Sequence, residues 1–341
     1  MSSDQSLPAN HLQILLASRP EGRPGAENFC SREATVPSPG EGEVLVRNVY
    51  LSVDPAMRGW MSDRKSYIEP VQIDDVMRGL TVGVVVGSTV DELPVGTRVS
   101  GPLGWQEYAV TTPDQLQALP PGQPLRLFLG PLGMTGLTAY FGLLDIGQPK
   151  EGETVVVSGA AGAVGSVVGQ IAKLKGCRVV GIAGTPEKCA WLRELGFDAA
   201  IDYKVDDVPA ALREHCPRGI DIYFDNVGGE ILDACLAQLR RGARIPLCGA
   251  ISQYNEADVR GPSNYLSILV NRARMEGFIV FDYAKRYGEA LQELGRWVAE
   301  GKIDARFDVV DGLENAPEAL NRLFDGANTG KQIVQIGPEP T

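Results

Sequence analysis

Short apolar stretches separated by Pro and Gly fill the chain up to about Leu125. The stretch from Glu43 to Tyr50 alternates apolar and polar positions and is rich in β-branched residues, which predicts a strand. Residues 81–87 predict a second, more buried strand, and residues 92–99 predict a turn that leads into a third. Because turn residues recur at short spacing, this region is predicted to be β-rich, like a small barrel.

After Leu125, strand-like and helix-like segments alternate. Residues 132–144 are apolar on more than one face and predict a buried helix, whereas residues 154–158 form a short β-branched run typical of a buried strand. This alternation predicts βαβ units and a parallel sheet. The remaining predicted elements are helices at 164–175, 186–195 (with Thr185 as N-cap) and 317–324, and strands at 177–183, 220–224, 243–248, 277–281 and 332–336.

A glycine turn, residues 159–165, stands between the strand at 154–158 and the helix at 164–175. Its sequence is Gly159-Ala160-Ala161-Gly162-Ala163-Val164-Gly165. Glycine at such positions allows a sharp backbone turn and close approach of a pyrophosphate, which the N–H groups of the helix start then bind. The turn therefore predicts a dinucleotide site, although a purely structural βα turn remains the alternative reading of this spacing.

The end of the second strand in this region indicates which dinucleotide binds. An NAD site places Asp or Glu there to bind the ribose 2′-hydroxyl, about 20 residues after the turn. Here the strand ends in Gly184-Thr185 without an acid, and Lys188 follows within one helical turn. Lys188 would attract a 2′-phosphate, and Tyr203 would add a hydroxyl donor, so the pattern favours NADP. Taken alone, Lys188 is slightly better explained as an exposed surface lysine, and the missing acid is what shifts the interpretation to NADP.

Composition excludes several other classes of protein. The formal net charge of −11 disfavours nucleic acid and anionic membranes as partners, since both require a positive surface. The six cysteines form no C-x-x-C pair, the first ten residues lack the pattern of a signal peptide, and no apolar run is long enough for a membrane span. We therefore expect a soluble protein of the reducing cytoplasm.

Metal-dependent and nucleophilic chemistry are also disfavoured. A catalytic zinc needs three protein ligands, yet the chain has only two histidines, His11 and His215, and no cysteine-rich loop. Ser158 precedes the glycine turn, but no plausible histidine base accompanies it, which argues against a serine hydrolase.

Five segments together resemble one family over about 330 residues. The chain resembles the zinc-free branch of the medium-chain dehydrogenase/reductase superfamily that contains leukotriene dehydrogenases/prostaglandin reductases and bacterial NADPH-dependent curcumin reductases. The curcumin reductases look nearest, because residues 145–152 and 313–317 also match them. The chain departs from the family at Ala56, where a tyrosine is common, which is expected to widen the substrate cleft. The five segments are residues 51–59, 133–140, 162–177, 225–229 and 248–255.

The resemblance implies an α/β fold with a Rossmann doubly wound parallel sheet and a GroES-like β-rich catalytic domain, and an active site between these domains. We expect the catalytic domain to comprise residues 1–125 and 305–341, and the NADP-binding domain residues 126–304. The cofactor-binding residues implied by the family motifs are Met134, Gly162, Ala163, Val164, Gly165, Lys188, Tyr203, Asn226, Cys248, Gly249, Ala250, Ile251, Ser252, Tyr254, Phe278, Ile279, Val280 and Asn328.

The chemistry implied is hydride transfer from NADPH to the β-carbon of an activated C=C bond in an α,β-unsaturated ketone or aldehyde. Tyr254, together with the nicotinamide ribose hydroxyl, is the first candidate to hydrogen-bond the carbonyl oxygen, and Tyr67 in the polar loop 62–70 is the second. Alternatives are an NADPH quinone oxidoreductase on the same fold and a non-catalytic, crystallin-like NADPH-binding protein. The resemblance also implies a homodimer formed through edge strands near residues 277–281.

Overall fold

The computed structural model describes residues 7–340, which divide into two compact units. Within the described range, the first unit comprises residues 7–129, 308–325 and 332–340, and the second comprises residues 130–307 and 326–331. The expected domain boundaries differ from this division at residues 126–129, which fall in the first unit, and at residues 305–307, which fall in the second. Residues 326–331, expected in the first domain, also fall in the second unit. That segment joins the second unit because Gly330 N–H donates to the Ala161 carbonyl oxygen at 2.8 Å.

The secondary structure is numbered in chain order. The strands are β1 (Asn10–Leu16), β2 (Phe29–Thr35), β3 (Val44–Ser52), β4 (Thr81–Ser88), β5 (Arg98–Gly101), β6 (Tyr108–Thr111), β7 (Gln117–Ala118), β8 (Thr154–Ser158), β9 (Arg178–Ala183), β10 (Ala199–Asp202), β11 (Ile220–Phe224), β12 (Leu239–Leu247), β13 (Arg274–Gly277), β14 (Phe307–Asp311) and β15 (Lys331–Gln335). The α-helices are α1 (Met57–Trp60), α2 (Met134–Phe141), α3 (Ala163–Leu174), α4 (Pro186–Glu194), α5 (Val208–His215), α6 (Gly229–Leu236), α7 (Leu266–Asn271), α8 (Tyr287–Ala299) and α9 (Ala316–Phe324).

The first unit is built on an antiparallel sheet. Its strand order is β14-β15-β3-β4-β5-β7, with β6 also paired to β3, and β1 and β2 form a separate hairpin. β3 and β4 match the two strands predicted by alternation, and they bury Val46 and Val85 in one apolar cluster. A second cluster packs Trp105 and Met57 against α9. The predicted β-rich architecture of this region is confirmed.

The second unit is a six-stranded parallel sheet in the order β10-β9-β8-β11-β12-β13. This is the doubly wound arrangement, in which the strand order reverses between β8 and β11. Side chains of β8 alternate between two buried clusters: Val155 and Val157 face one side, and Val156 faces the other. Because helices cover both faces, the strand is apolar at every central position, as the sequence suggested.

The segment predicted as a strand at 277–281 differs in the structure. β13 ends at Gly277, and residues Val280–Arg286 form a 3₁₀ helix. The Phe278 ring packs edge-on to Phe224 at 6.4 Å between ring centroids, so this apolar run fills a tertiary site instead of extending the sheet.

The predicted buried helix at 132–144 is real but shorter. α2 ends at Phe141 and continues as a wider π-type turn over Gly142–Gly147. The other predicted helices match α3, α4 and α9 within one or two residues. Among residues 7–340, every helix is too short or too polar to cross a lipid bilayer.

Candidate cofactor and active site

The glycine turn connects the buried end of β8 to the first residue of α3. Gly159 has a φ of +57°, a left-handed conformation that glycine adopts without steric cost. Gly162 is the N-cap of α3, and its carbonyl oxygen accepts the Ser166 N–H at 3.1 Å. The N–H groups of residues 163–165 therefore stand at the open helix end, where they have no intrahelical acceptor and can bind a phosphate.

Gly165 determines how closely α3 approaches the strand end. A Cβ atom at this position would lie 2.4 Å from the Gly159 carbonyl oxygen and 2.8 Å from the Ala160 Cα. Both neighbours are backbone atoms that cannot rotate away, so no larger residue fits there without moving the helix. The third glycine of the turn thus provides close helix–strand packing, while Gly159 provides the sharp turn.

The segment 326–331 lies against the glycine turn. Gly162 and Gly330 form an isolated parallel bridge, in which Gly330 N–H donates to the Ala161 carbonyl oxygen. The side chain of Asn328 is buried, and its Nδ2 donates to the Gly330 carbonyl oxygen at 2.9 Å. Asn328, which the resemblance implies as a cofactor-binding residue, therefore lies next to the glycine turn.

Lys188 is a buried cation in the second unit. It lies in the first turn of α4, where the Thr185 hydroxyl oxygen accepts the Lys188 backbone N–H at 3.2 Å. The residue is 8% exposed, and its Nζ donates to the Gly326 carbonyl oxygen at 2.6 Å. Its neighbour Glu187 is exposed, so the two side chains occupy different faces of α4. Burial and the hydrogen bond to Gly326 fix the position of the Lys188 side chain, unlike that of an ordinary surface lysine.

Tyr203 covers the place where an NAD site would carry its acid. A Cβ atom at Gly184 would lie 2.6 Å from Cε1 of Tyr203 and 3.1 Å from its hydroxyl oxygen. A side chain at position 184 would therefore displace the ring. A Cβ atom at Gly326 would lie 3.8 Å from the same hydroxyl, so Tyr203 and Lys188 both adjoin residue 326. Lys188 and Tyr203, which we call the 2′-phosphate corner, combine an amino group and a phenol, and position 184 has no room for a carboxylate. This combination suits a 2′-phosphate.

The loop of residues 248–254 is fastened to residues 225–229. Ile251 N–H donates to the Asn226 carbonyl oxygen at 3.2 Å, and the Ser252 hydroxyl donates to the Val227 carbonyl oxygen at 2.6 Å. The Tyr254 hydroxyl oxygen accepts the Ala250 N–H at 3.2 Å, which folds the ring back over its own loop. Asn226 and this loop thus form one connected backbone surface.

Cys248 begins this loop but is not suited to act as a nucleophile. Burial, and secondly the nearby Asp225 carboxylate, raise the pKa of the Cys248 thiol to about 12. The thiolate is the reactive form of cysteine, so this thiol is unreactive at neutral pH.

Met134 and residues 278–280 come together around Tyr287. The Tyr287 hydroxyl lies 3.0 Å from the Val280 carbonyl oxygen, to which it donates, and 3.8 Å from the Met134 sulfur. Phe278 packs on Phe224 at the end of β11, and Ile279 precedes the 3₁₀ helix. Met134 and Val280 therefore meet at Tyr287, while Phe278 packs at the end of β11.

Tyr67 belongs to the first unit. Its hydroxyl oxygen accepts the Trp60 Nε1–H at 3.3 Å, and the residue is 51% exposed. Its ring is therefore exposed in the loop 62–70, with its hydroxyl oriented by Trp60.

Sequence reasoning missed several residues that shape this region. Asp225 and Tyr223 are buried at the end of β11, Ser158 bonds to Asp225, and Gly326 is the partner of Lys188. From the sequence alone, the only role suggested for Ser158 is that of a nucleophile. The available signal is position: Ser158 is the last residue of one apolar strand and Asp225 directly follows another, at the carboxyl edge where open parallel sheets bind ligands.

Among residues 7–340, no group of three or more His, Cys, Asp or Glu side chains is placed to hold a metal ion. The residues implicated by the sequence provide backbone N–H groups at a helix N-terminus, one buried lysine and several hydroxyl groups.

Comparison with known proteins places the chain in a family. Residues 12–119 match the family model described as N-terminal domain of oxidoreductase, and residues 163–297 match the one described as Zinc-binding dehydrogenase. The NADPH-dependent curcumin reductase of Escherichia coli (strain K12) is 50% identical over 331 residues, 94% of this chain and 96% of that protein. The chain belongs to the medium-chain dehydrogenase/reductase family.

Two further relatives span this medium-chain dehydrogenase/reductase almost completely. The NADP(+)-dependent 2-alkenal reductase of Nicotiana tabacum is 42% identical, over 96% of this chain and 98% of that protein. The crystal structure of CurA in complex with NADPH from Vibrio vulnificus is 52% identical, covers 96% of this chain and 100% of that one, and superposes with a TM-score of 0.92.

Replacing Lys188 tests the 2′-phosphate corner. We expect Lys188→Ala to raise the KM for NADPH about 10- to 100-fold, the usual effect of losing a charge-assisted hydrogen bond, and to leave the KM for NADH nearly unchanged. Steady-state kinetics with both cofactors measure this difference.

The matched control for Lys188→Ala is Lys302→Ala. This variant removes an exposed cation of the same unit that pairs with Glu300 at 2.7 Å. It should alter neither KM. Equal losses with NADPH and NADH in Lys188→Ala would contradict a role in binding the 2′-phosphate.

Proposed function

We propose that this chain uses NADPH to reduce the activated C=C bond of α,β-unsaturated ketones and aldehydes, with hydride delivered to the β-carbon. The reaction follows from its similarity along almost the whole chain to proteins named curcumin reductase and 2-alkenal reductase. The choice of NADPH is carried by the buried Lys188 beside Tyr203, with no acid at position 184.

In this proposal the second unit is the NADP-binding domain. The N–H groups at the start of α3 bind the pyrophosphate, and Lys188 and Tyr203 bind the 2′-phosphate. Asn226, Asn328, the 248–254 loop, Met134 and residues 278–280 line the rest of the cofactor. NADPH, when bound, supplies the hydride.

The protein's part in the reaction is to orient the alkene and to stabilise the enolate oxygen that forms. A hydroxyl donor suffices for the second task, because negative charge develops on the carbonyl oxygen as the β-carbon is reduced. We assign this role to Tyr254, whose phenolic hydroxyl is of the donor type that this step needs and whose oxygen accepts the Ala250 N–H. The first unit is then the catalytic domain, and Tyr67 of its polar loop 62–70 is the second candidate for this role.

A substrate panel tests the reaction. NADPH oxidation should be fastest with aryl enones, including curcumin, and with 2-alkenals, and should be slow with quinones. Alcohols should not reduce NADP⁺. The products should be the saturated carbonyl compounds, identified by mass spectrometry. If the fastest substrates are quinones, the protein is instead a quinone oxidoreductase. If it binds NADPH but oxidises no NADPH with any substrate of the panel, it is a non-catalytic binding protein.

The variant Tyr254→Phe tests whether the Tyr254 hydroxyl acts in catalysis, measured by kcat, or only in the structure of the cofactor loop, measured by the Kd for NADPH. Loss of one donor to a developing oxyanion typically lowers kcat about 100-fold, and we expect a decrease of that order with an enone. The Kd for NADPH should change little. Stopped-flow kinetics and NADPH fluorescence titration measure the two quantities.

The control for Tyr254→Phe is Tyr108→Phe, in a half-buried tyrosine of β6 that packs edge-on against His11. This variant should keep full kcat. Unchanged turnover in Tyr254→Phe would remove Tyr254 from the mechanism and leave Tyr67 as the candidate to replace.

We further propose that the protein is a homodimer that works in the cytoplasm. β13 is an edge strand of the parallel sheet, and the neighbouring helix α7 exposes apolar side chains, including Leu269 at 73%. An open strand edge beside exposed apolar surface is a typical subunit interface. The six free cysteines are compatible with a reducing compartment.

Leu269→Asp tests the proposed interface, because it would place a carboxylate in the buried dimer contact. Light scattering across a range of concentrations should show a dimer for the unmodified protein and a monomer for this variant. Val95→Asp, at an exposed valine of the first unit, should remain dimeric. A concentration-independent monomer of the unmodified protein would contradict the proposal.

A further inference from the structure

Two buried aspartates join the same pair of parallel strands, one at each end. Asp221 accepts the Thr154 N–H at the start of β8 at 2.9 Å, and it also pairs with Arg240 at 2.9 Å. Asp225 directly follows β11 and accepts the hydroxyl of Ser158, the last residue of β8, at 3.0 Å. Since β8 and β11 are parallel, Asp221 lies at the amino edge of the sheet and Asp225 at the carboxyl edge.

The location of Asp225 is the one where open α/β sheets bind ligands. β8 and β11 are the two strands between which the strand order reverses, and the ligand crevice of such a sheet opens at their carboxyl ends. The two aspartates therefore make equivalent links between the same strands, but only Asp225 is close to the expected cofactor.

Hydrogen bonds to Asp225 converge on one oxygen. Oδ1 accepts the hydroxyl of Ser158, the hydroxyl of Tyr223 at 2.7 Å, and the N–H groups of Val227 and Gly228 at 2.9 Å each. A carboxylate oxygen accommodates this many donors better than a neutral amide oxygen does. The side chain therefore clamps the chain on both sides of Asn226.

The other oxygen of Asp225 is buried and has no hydrogen-bond partner among the described residues. An unpaired buried acceptor costs free energy, and proteins retain such costs mainly at functional sites. This contrasts with Asp221, both of whose oxygens are bonded.

Asp225 and Ser158 together also hold the 248–254 loop and Asn226. The Asp225 carbonyl oxygen accepts the N–H groups of Cys248 at 2.9 Å and Gly249 at 3.1 Å. Asn226 N–H donates to the Ser158 hydroxyl oxygen at 3.0 Å, and Asn226 Nδ2 donates to the Ser158 carbonyl oxygen at 2.7 Å. A shift of Asp225 would move both segments at once.

We propose that Asp225 is a positioning residue for the nicotinamide half of NADPH. It acts by holding Asn226 and the 248–254 loop at the carboxyl ends of β8, β11 and β12, whereas the adenosine 2′-phosphate is bound independently at Lys188 and Tyr203. The inference rests on the proposed use of NADPH, and it does not depend on which carbonyl compound is reduced.

The test compares Asp225→Asn with Asp221→Asn, measuring Kd values without any substrate. Two ligands are titrated: NADPH, and adenosine 2′,5′-bisphosphate, which keeps the 2′-phosphate but lacks the nicotinamide. Asp225→Asn should raise the Kd for NADPH about tenfold, the effect of one lost hydrogen bond to a well-placed group, and leave the bisphosphate Kd within about twofold. Asp221→Asn should change neither Kd, although both variants should unfold at a lower temperature than the unmodified protein.

Equal weakening of both ligands by Asp225→Asn, no weakening of either, or the same pattern in Asp221→Asn would overturn the proposal. If Asp225→Asn does not fold, Ser158→Ala and Tyr223→Phe remove single donors to the same oxygen. At least one of them must then weaken NADPH selectively, or the proposal fails. An unmodified protein that binds NADPH but reduces no enone would refute only the proposed reaction.

Discussion

The close packing of α3 against the end of β8 is the constraint on which the rest of the second unit depends. With only a hydrogen atom at Gly165, the helix approaches the backbone of the glycine turn to a distance that no Cβ atom permits. The helix N-terminus is thereby aimed at one point beyond the carboxyl edge of the sheet. From the same turn, Ala160 N–H donates to the Ile182 carbonyl oxygen at 3.0 Å, which ties the turn to β9 and so to the start of α4. The proposed pyrophosphate and 2′-phosphate positions are in this way joined by one backbone connection.

The segments around the glycine turn are held together mainly by hydrogen bonds to backbone groups. Lys188 is held by a carbonyl oxygen of residue 326, and the Ala161 carbonyl oxygen is bonded to residue 330. The 248–254 loop is likewise bonded through its N–H groups to residues 225–227. The geometry of a site made of backbone groups depends little on the identity of the surrounding side chains.

Secondary structure was predicted correctly from the sequence where the pattern that defines an element lies within the element and its immediate neighbours. β8 and α3 are recognisable because apolar periodicity and a glycine spacing lie within about twenty residues of each other, and the N-cap at Thr185 is a short-range pattern as well. The prediction was wrong at residues 278–281, which carry the composition of a strand. There, packing of Phe278 against Phe224 determines the conformation, and that contact joins residues far apart in the chain. Residues 326–331 likewise cluster with the second unit through a bond between residues far apart in the chain, from Gly330 to Ala161.

By itself, the sequence determined the periodicity of the elements, the glycine turn with its helix, the missing acid at Gly184 and the presence of a cation at Lys188. Each of these is a property of neighbouring residues, for which backbone sterics and periodic burial are sufficient. Only the tertiary structure decided that Lys188 is buried against a carbonyl oxygen 138 residues away, and that Ser158 meets Asp225 across 67 residues. Ser158 meets Asp225 because parallel strands bring their carboxyl ends to one edge regardless of their separation in the chain. Lys188 meets Gly326 because residues 326–331 return to the glycine turn, where Gly330 bonds to Ala161.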